Sequence, residues 1–271
     1  MTRLETIDRL IDMLVEEMPE YAQEAAAVPR SEDERRALLR ALMNVRPPMP
    51  ASERFLALQD GLLCDEVERR GIVDVSSIKP SALDPRLAVW RGDITRLRVG
   101  AIVNAANAAM LGCFVPLHRC IDNAIHSAAG VQLRLACAEL MQGREEPTGE
   151  ARITPAFDLP ADYVAHTVGP IVAGALTARD CELLASCYRS CLDAAAAAGC
   201  ASIASCCIST GEFGFPHEPA AAIAVWTVRA WLDAHEGSGR PIDHVLFDVF
   251  SEQDERLYRN LLDGYDDKEE R

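Results

Sequence analysis

The chain has 271 residues, 49% of them hydrophobic, enough for one large domain with or without a smaller companion and too apolar for global disorder. Its formal net charge of −15 repels nucleic acid and anionic lipid, so a polyanionic ligand must be held by backbone amides and helix dipoles. No apolar run reaches the roughly 18–20 residues that span a bilayer, and MTRLETIDRL lacks the apolar core of a signal peptide. Most of the ten cysteines sit singly in apolar stretches and read as small buried hydrophobes, so a reduced, cytoplasmic protein with no nucleic-acid or membrane partner is expected.

The first eighty residues read as helical. Thr2 and Glu5 form a capping box ahead of Leu4, Ile7, Leu10, Ile11, Leu14 and Met18 at helical spacing. Ser31 and Glu34 repeat the signal before Leu38, Leu39, Leu42 and Met43, and Pro47, Pro48 and Pro50 stop that helix. Ser52 starts a third, carrying Phe55, Leu56, Leu62 and Val67. Nothing here declares catalysis, so 1–80 is read as a helical extension that packs on the rest of the chain.

From residue 81 the period changes. Short apolar runs at 87–90, 101–106, 151–157, 163–168, 202–208 and 244–250 predict strands, and 119–142, 178–198 and 217–235 predict helices between them. This alternation predicts a layered α/β domain over 81–271 with a parallel or mixed sheet, its ligand site beyond the carboxyl ends of the strands.

Three of those strand ends carry chemistry. LAVW runs into RGDIT, where Asp93 either caps a turn or accepts from an exocyclic amine of a ligand. AIVNAAN sets Asn104 and Asn107 before a glycine-containing loop, a pairing suited to hydroxyl recognition, with one of the two free to be structural. SIASCCIST runs into GEFGFP, where Gly211 and Gly214 permit positive φ and close approach of backbone amides to phosphate.

Between the asparagines and the next helix lies GCFVPLHRC. Cys113, His118 and Cys120 supply two thiolates and an imidazole, a donor set that suits zinc, against the alternative of three unligated buried side chains. A closed structural site needs a fourth strong ligand. The nearest candidates are Asp122 and His126, and His126 reads as helix packing. Three protein ligands with an open fourth position is the arrangement of catalytic zinc.

Taken in order, GDIT, VNAAN, the stretch from Leu111 through IDNAIHSAAG, ITPAFDLPADYVAHTVGP and IST-GEFGFP resemble the motifs of macrodomains. GCFVPLHRC, standing where ordinary hydrolytic macrodomains have a glycine run, resembles the signature of the zinc-containing members, which also carry an N-terminal helical extension. The resemblance is strong from about 85 to 263 and looser before that.

The resemblance implies a three-layer α/β/α macrodomain with a mixed central sheet that hydrolyses ADP-ribose from mono-ADP-ribosylated proteins, at acidic side chains, with Zn2+ on Cys113, His118 and Cys120. It implies that Asp93 and the Ile94 backbone hold adenine, that Phe250 stacks on it, and that Asn107 approaches the distal ribose. Cys120, Ile121, Asp122 and Asn123 would follow the ligand, and Ser209, Thr210, Gly211, Glu212 and Phe213 would form the phosphate-and-ribose loop. Asn107 would orient the sugar and Asp122 would serve as general base where it reaches a water. A sirtuin-like ADP-ribosyltransferase with a lipoyl carrier protein is the partner system the family suggests. The competing readings are an ADP-ribose reader without turnover and an O-acetyl-ADP-ribose deacetylase. A zinc nucleoside deaminase would require H-x-E and P-C-x-x-C, and both are absent.

Overall fold

The computed structural model describes residues 1–264 except 238, 240 and 241, so the expected domain's last residues, 265–271, lie outside the described part. Four helices come first: α1 (Arg3–Glu17), α2 (Ala22–Ala27), α3 (Glu32–Val45) and α4 (Glu53–Arg70). Three of them begin at the side-chain caps that the sequence signals. Thr2 closes a full capping box with Glu5, and Ser31 and Ser52 accept from the amides of Glu34 and Phe55. Each such cap stabilises by about 1 kcal/mol. Helix α3 ends at Val45, ahead of the prolines. Ile7, Leu10, Leu14, Leu39, Leu42, Phe55 and Leu62 bury together as a core of their own, which reaches the rest of the molecule through Val131.

The two-residue strands β1 (Val73–Asp74) and β3 (Leu97–Arg98) pair in parallel, a feature too short to leave a sequence signal. The six expected strands all form: β2 (Leu87–Arg91), β4 (Ala101–Ala105), β5 (Ala151–Pro155), β6 (Tyr163–Thr167), β7 (Ser202–Ser205) and β8 (His244–Val249). They lie in the order β2-β8-β7-β4-β6-β5, with only β5 antiparallel, so the sheet is mixed. Helices α5 (Ile121–Ala129), α6 (Val131–Met141), α7 (Ala178–Ala197), α8 (His217–Ala234) and α9 (Glu252–Asp263) flank it. No helix among the described residues is long and apolar enough to cross a membrane.

The single helix expected over 119–142 is two. Gly130 breaks it at φ +88, and a Cβ there would stand 2.3 Å from Gln59 Nε2 of α4. The break is therefore dictated by a close approach of a helix seventy residues earlier. Because five of the six strands run the same way, the loops after β2, β4, β6, β7 and β8 open on one edge of the sheet. Apart from Asn104, at the end of β4, and His126 in the second turn of α5, every residue singled out for chemistry lies in those loops or in the first turn of α5.

Candidate active site

The sheet supplies the floor. Asn104, at the end of β4, is fully buried, and its Nδ2 reaches Asp122 Oδ1 at 2.8 Å and His166 Nδ1 at 3.2 Å. It is the structural one of the two asparagines. His166 Nε2 in turn meets Thr154 Oγ1 at 3.0 Å and Cys137 Sγ at 3.7 Å. Burial holds the His166 imidazolium pKa down to about 4 and pushes the Cys137 thiol up to about 12, so both side chains are uncharged at neutral pH. His126 is buried beside it, in keeping with a helix-packing role. Its ring lies under Gly112, where a Cβ would come within 2.8 Å of Cγ, and its Nε2 is 3.5 Å from Asp122 Oδ1.

Asn107 sits above that floor, half-buried, and donates to Gly112 O at 3.1 Å and to Asp122 Oδ2 at 3.4 Å. Asp122 is thus tied through both oxygens, and only a small part of it is exposed. Burial raises its pKa to about 6, opposed by the Asn104 hydrogen bond and the Arg134 charge. That geometry ties the carboxylate to both asparagine amides and leaves little of it open to solvent.

The loop from Leu111 to Cys120 carries the donor cluster. Cys113 Sγ, a ring nitrogen of His118 and Cys120 Sγ all lie within 4.8 Å of one another. His118 turns Nδ1 to Cys113 Sγ at 3.7 Å and Nε2 toward Glu212 Oε1, also at 3.7 Å. Cys120 caps α5, its sulfur accepting from the Asn123 amide at 3.4 Å. Two thiols and an imidazole converging in this way fit zinc by donor softness and number. The carboxylate of Glu212 on the far side of the imidazole is the kind of outer partner that orients a ligating histidine.

The expectation for Asn123 is corrected. Its side chain is fully buried under the loop, where Nδ2 donates to Val115 O at 3.0 Å and to Cys113 O at 3.5 Å. It braces the loop from inside and is not presented to a ligand. Ile121, at the first position of α5, is half-buried against the core.

The loop after β7 also differs in detail. Ser209 and Gly214 are its left-handed residues, at φ +66 each, whereas Gly211 is not. A serine held there is a strained position of the kind that collects at ligand sites. Its buried hydroxyl finds no hydrogen-bond partner among the described residues and points at Gly169, where a Cβ would fall 2.0 Å from Oγ. Phe215 N bonds back to Ser209 O and Val172 N to Phe213 O, fixing a turn that leaves Gly211 and Glu212 exposed and Thr210 and Phe213 half-buried.

At the far end of the cleft, Asp93 performs the capping role after all, accepting from Thr95 N at 3.0 Å and Thr95 Oγ1 at 2.6 Å. Its other oxygen meets Arg70 Nη1 of α4 at 2.6 Å. The side chain of Ile94 is in the core, so only its backbone can meet a ligand. Phe250, just past β8, is 88% exposed. Asn44, Arg40, Arg70 and Arg134 are site neighbours that the sequence did not declare. Their partners are about 20 to 90 residues away, and no local pattern marks them.

A mixed six-stranded sheet between helices, with an asparagine-and-loop cleft at its carboxyl edge, defines the macrodomain class. The Macro domain family profile matches residues 103–224. A protein-ADP-ribose hydrolase of Treponema medium is 52% identical over 266 residues, covering 97% of this chain and 100% of that protein. One of Staphylococcus aureus (strain MRSA252) is 45% identical over 238 residues, 87% of each chain. The Trypanosoma brucei macrodomain in complex with ADP-ribose superposes with a TM-score of 0.63 at 32% identity, over 82% of this chain and 94% of that one. The chain belongs to the macrodomain family.

Proposed function

We propose that this protein is a zinc-dependent hydrolase that releases ADP-ribose from mono-ADP-ribosylated proteins, acting on aspartate or glutamate esters. The observation that carries this reading is the Cys113–His118–Cys120 cluster in the loop that follows Asn107, inside a macrodomain cleft. The names of the Treponema and Staphylococcus relatives support the hydrolase part. The bound ligand of the trypanosome macrodomain supports the ADP-ribose part.

Asp93 accepts from the adenine amine with the oxygen shared with Arg70, and Phe250 offers its exposed ring to the base. Amides of the 209–213 loop and the first turn of α5 receive the pyrophosphate, so a protein of net charge −15 holds an anion through backbone dipoles. Asn107 orients the distal ribose, with Asp122 beneath fixing which way its amide faces. Cys113, His118 and Cys120 hold the ion, which when bound supplies Lewis-acid polarisation and an anchor at the sugar. A transferase that esterifies acidic side chains must supply the substrate. A sirtuin-like enzyme working with a lipoyl carrier protein remains the partner system proposed on family resemblance.

The test is metal analysis of the purified protein combined with release of ADP-ribose from an aspartate- or glutamate-modified protein. Cys113→Ala and His118→Ala should lose both zinc and turnover. Full turnover by a demonstrably metal-free Cys113→Ala protein sinks the zinc reading. An unchanged modification with tight ADP-ribose binding would instead make the protein a reader. Turnover confined to O-acetyl-ADP-ribose would make it a small-ester hydrolase.

A further inference from the structure

The helical extension reaches the donor loop with two residues of one helix face. Arg40 and Asn44 stand four apart on α3, which puts them side by side. Leu39, Leu42 and Met43 of the same helix are buried in the extension's own core, leaving 40 and 44 to the loop. Arg40 Nη2 donates to Asn123 Oδ1 at 2.7 Å and lies 3.4 Å from His118 O. Asn44 Oδ1 accepts from Leu117 N at 3.0 Å, and its Nδ2 donates to Ser127 Oγ of α5 at 3.0 Å.

These bonds fall on the strained part of the loop. Leu117 is left-handed, at φ +57, a conformation leucine seldom adopts, and it immediately precedes His118. Asn44 anchors its amide. Arg40 fixes the carbonyl of the next residue and, through Asn123, the carbonyls of Cys113 and Val115. Arg134 completes the clamp on the upstream side. Its Nε donates to Leu111 O at 2.7 Å, its Nη1 to Arg46 O at 2.5 Å and Met43 O at 3.2 Å, and its guanidinium lies 4.1 Å from the centre of the Phe114 ring. The loop thus has few internal bonds of its own and is shaped largely by what surrounds it.

We propose that Arg40 and Asn44 of α3 are positioning residues for the Cys113–His118–Cys120 loop, so that the N-terminal helices form part of the site. The consequence for zinc rests on the proposed metal reading, but the clamp itself is a property of the protein alone. A loop already folded into its donor geometry spares the ion the cost of ordering it. Loss of such outer partners typically weakens metal binding ~10- to 100-fold.

The experiment compares full-length wild type with Arg40→Ala, Arg40→Lys, Asn44→Ala and Asn44→Asp. Zinc affinity is read by competition with a chromophoric chelator, and amide hydrogen exchange across 111–120 is read in metal-free protein. Arg40→Ala and Asn44→Ala should bind zinc ~10-fold or more weakly and exchange faster in the loop, with the β-sheet amides unchanged. Asn44→Asp keeps the acceptor for Leu117 but loses the donor to Ser127 and brings a charge into a buried position, so it should fall between Asn44→Ala and wild type. Arg40→Lys, with one compact ammonium for two acceptors, should fall between. Wild-type zinc affinity within twofold together with unchanged loop exchange in Arg40→Ala overturns the proposal. So does a loss that tracks faster exchange over the whole molecule. If Asn44→Ala does not fold, the two arginine variants decide. A wild type that takes up no zinc, combined with faster loop exchange in Arg40→Ala, defeats the zinc reading and leaves the clamp standing.

Discussion

Arg70 of α4 and Asp93 after β2 form an ion pair at 2.6 Å, so the carboxylate assigned to adenine is oriented by the N-terminal helices. The same carboxylate accepts the Thr95 amide that starts the following turn. On the proposed reading Asp93 has a recognition role beside the structural one, and the two separate by mutation. Asp93→Ala should lower the affinity for ADP-ribose ~10-fold, the worth of one charged hydrogen bond, and cost about 1 kcal/mol of stability for the lost cap. Arg70→Ala should cost less than about 1 kcal/mol, because both members of the pair are partly exposed. Calorimetric titration with ADP-ribose and thermal unfolding measure the two effects. An Asp93→Ala protein with wild-type affinity would remove Asp93 from the adenine site.

Phe250, just past β8, is a large aromatic with almost no packing to lose. A base that stacks on it gains roughly 1–3 kcal/mol, so Phe250→Ala should weaken ADP-ribose binding at least several-fold. The melting temperature should not move. An affinity loss for ADP-ribose without a matching loss for ribose 5-phosphate would place the effect on the base.

The features legible in the sequence were local ones. The six strands announced themselves because each is a short apolar run between turn residues, and three helix starts because a capping side chain lies three residues from its amide. Cys113, His118 and Cys120 were legible because all three donors fall within eight positions. What escaped was long-range. The break at Gly130 is set by Gln59, and the burial of Asn123 by a loop that folds over it and by Arg40 from α3. Ser209 rather than Gly211 takes the left-handed position, since the turn is fixed by the bond from Phe215 N to Ser209 O. Helix α9 escaped for another reason: its glutamate-rich first turn hides the spacing of Tyr258 and Leu262.

Asp122 lies between Asn104 and Asn107, both of which direct an amide nitrogen at it. Asparagine at this position can accept from only one of them, because its own NH2 then faces the other donor. Asp122→Asn should leave Asn104 bonded in the core and let Asn107 turn away from the ribose. The expected result is a kcat roughly 100-fold lower, the scale of a small misplacement of a reacting group, with ADP-ribose affinity changed only a few-fold. Removing a buried charge should not lower the melting temperature much. Single-turnover release measured beside ADP-ribose binding separates these quantities, and an unchanged kcat would deny Asp122 any part in the reaction.

The seam between α4 and the loop after β5 carries a pH dependence of its own. Gln59 Nε2 lies 3.3 Å from Asp158 Oδ2 and 3.2 Å from Asp60 Oδ1, while Gln132 Nε2 donates to Asp60 at 2.9 Å. Burial, and then the negative charge and shared hydrogen bond of Asp60, raise the Asp158 pKa to about 7, with Gln59 pulling the other way. A carboxyl whose folded pKa lies above its unfolded value binds its proton more tightly in the folded state. Its contribution is complete below the unfolded pKa of about 4 and is lost progressively as pH rises to about 7. Asp158→Asn keeps the shape and abolishes the titration. The variant should be more stable than wild type at pH 8 by on the order of 1 kcal/mol, discounted because solvent screens part of the group. That corresponds to a melting temperature about 2–4 °C higher. The difference should shrink steadily as pH falls toward 4, so melting curves of both proteins across that range test the assignment, and a gap that stays constant with pH refutes it.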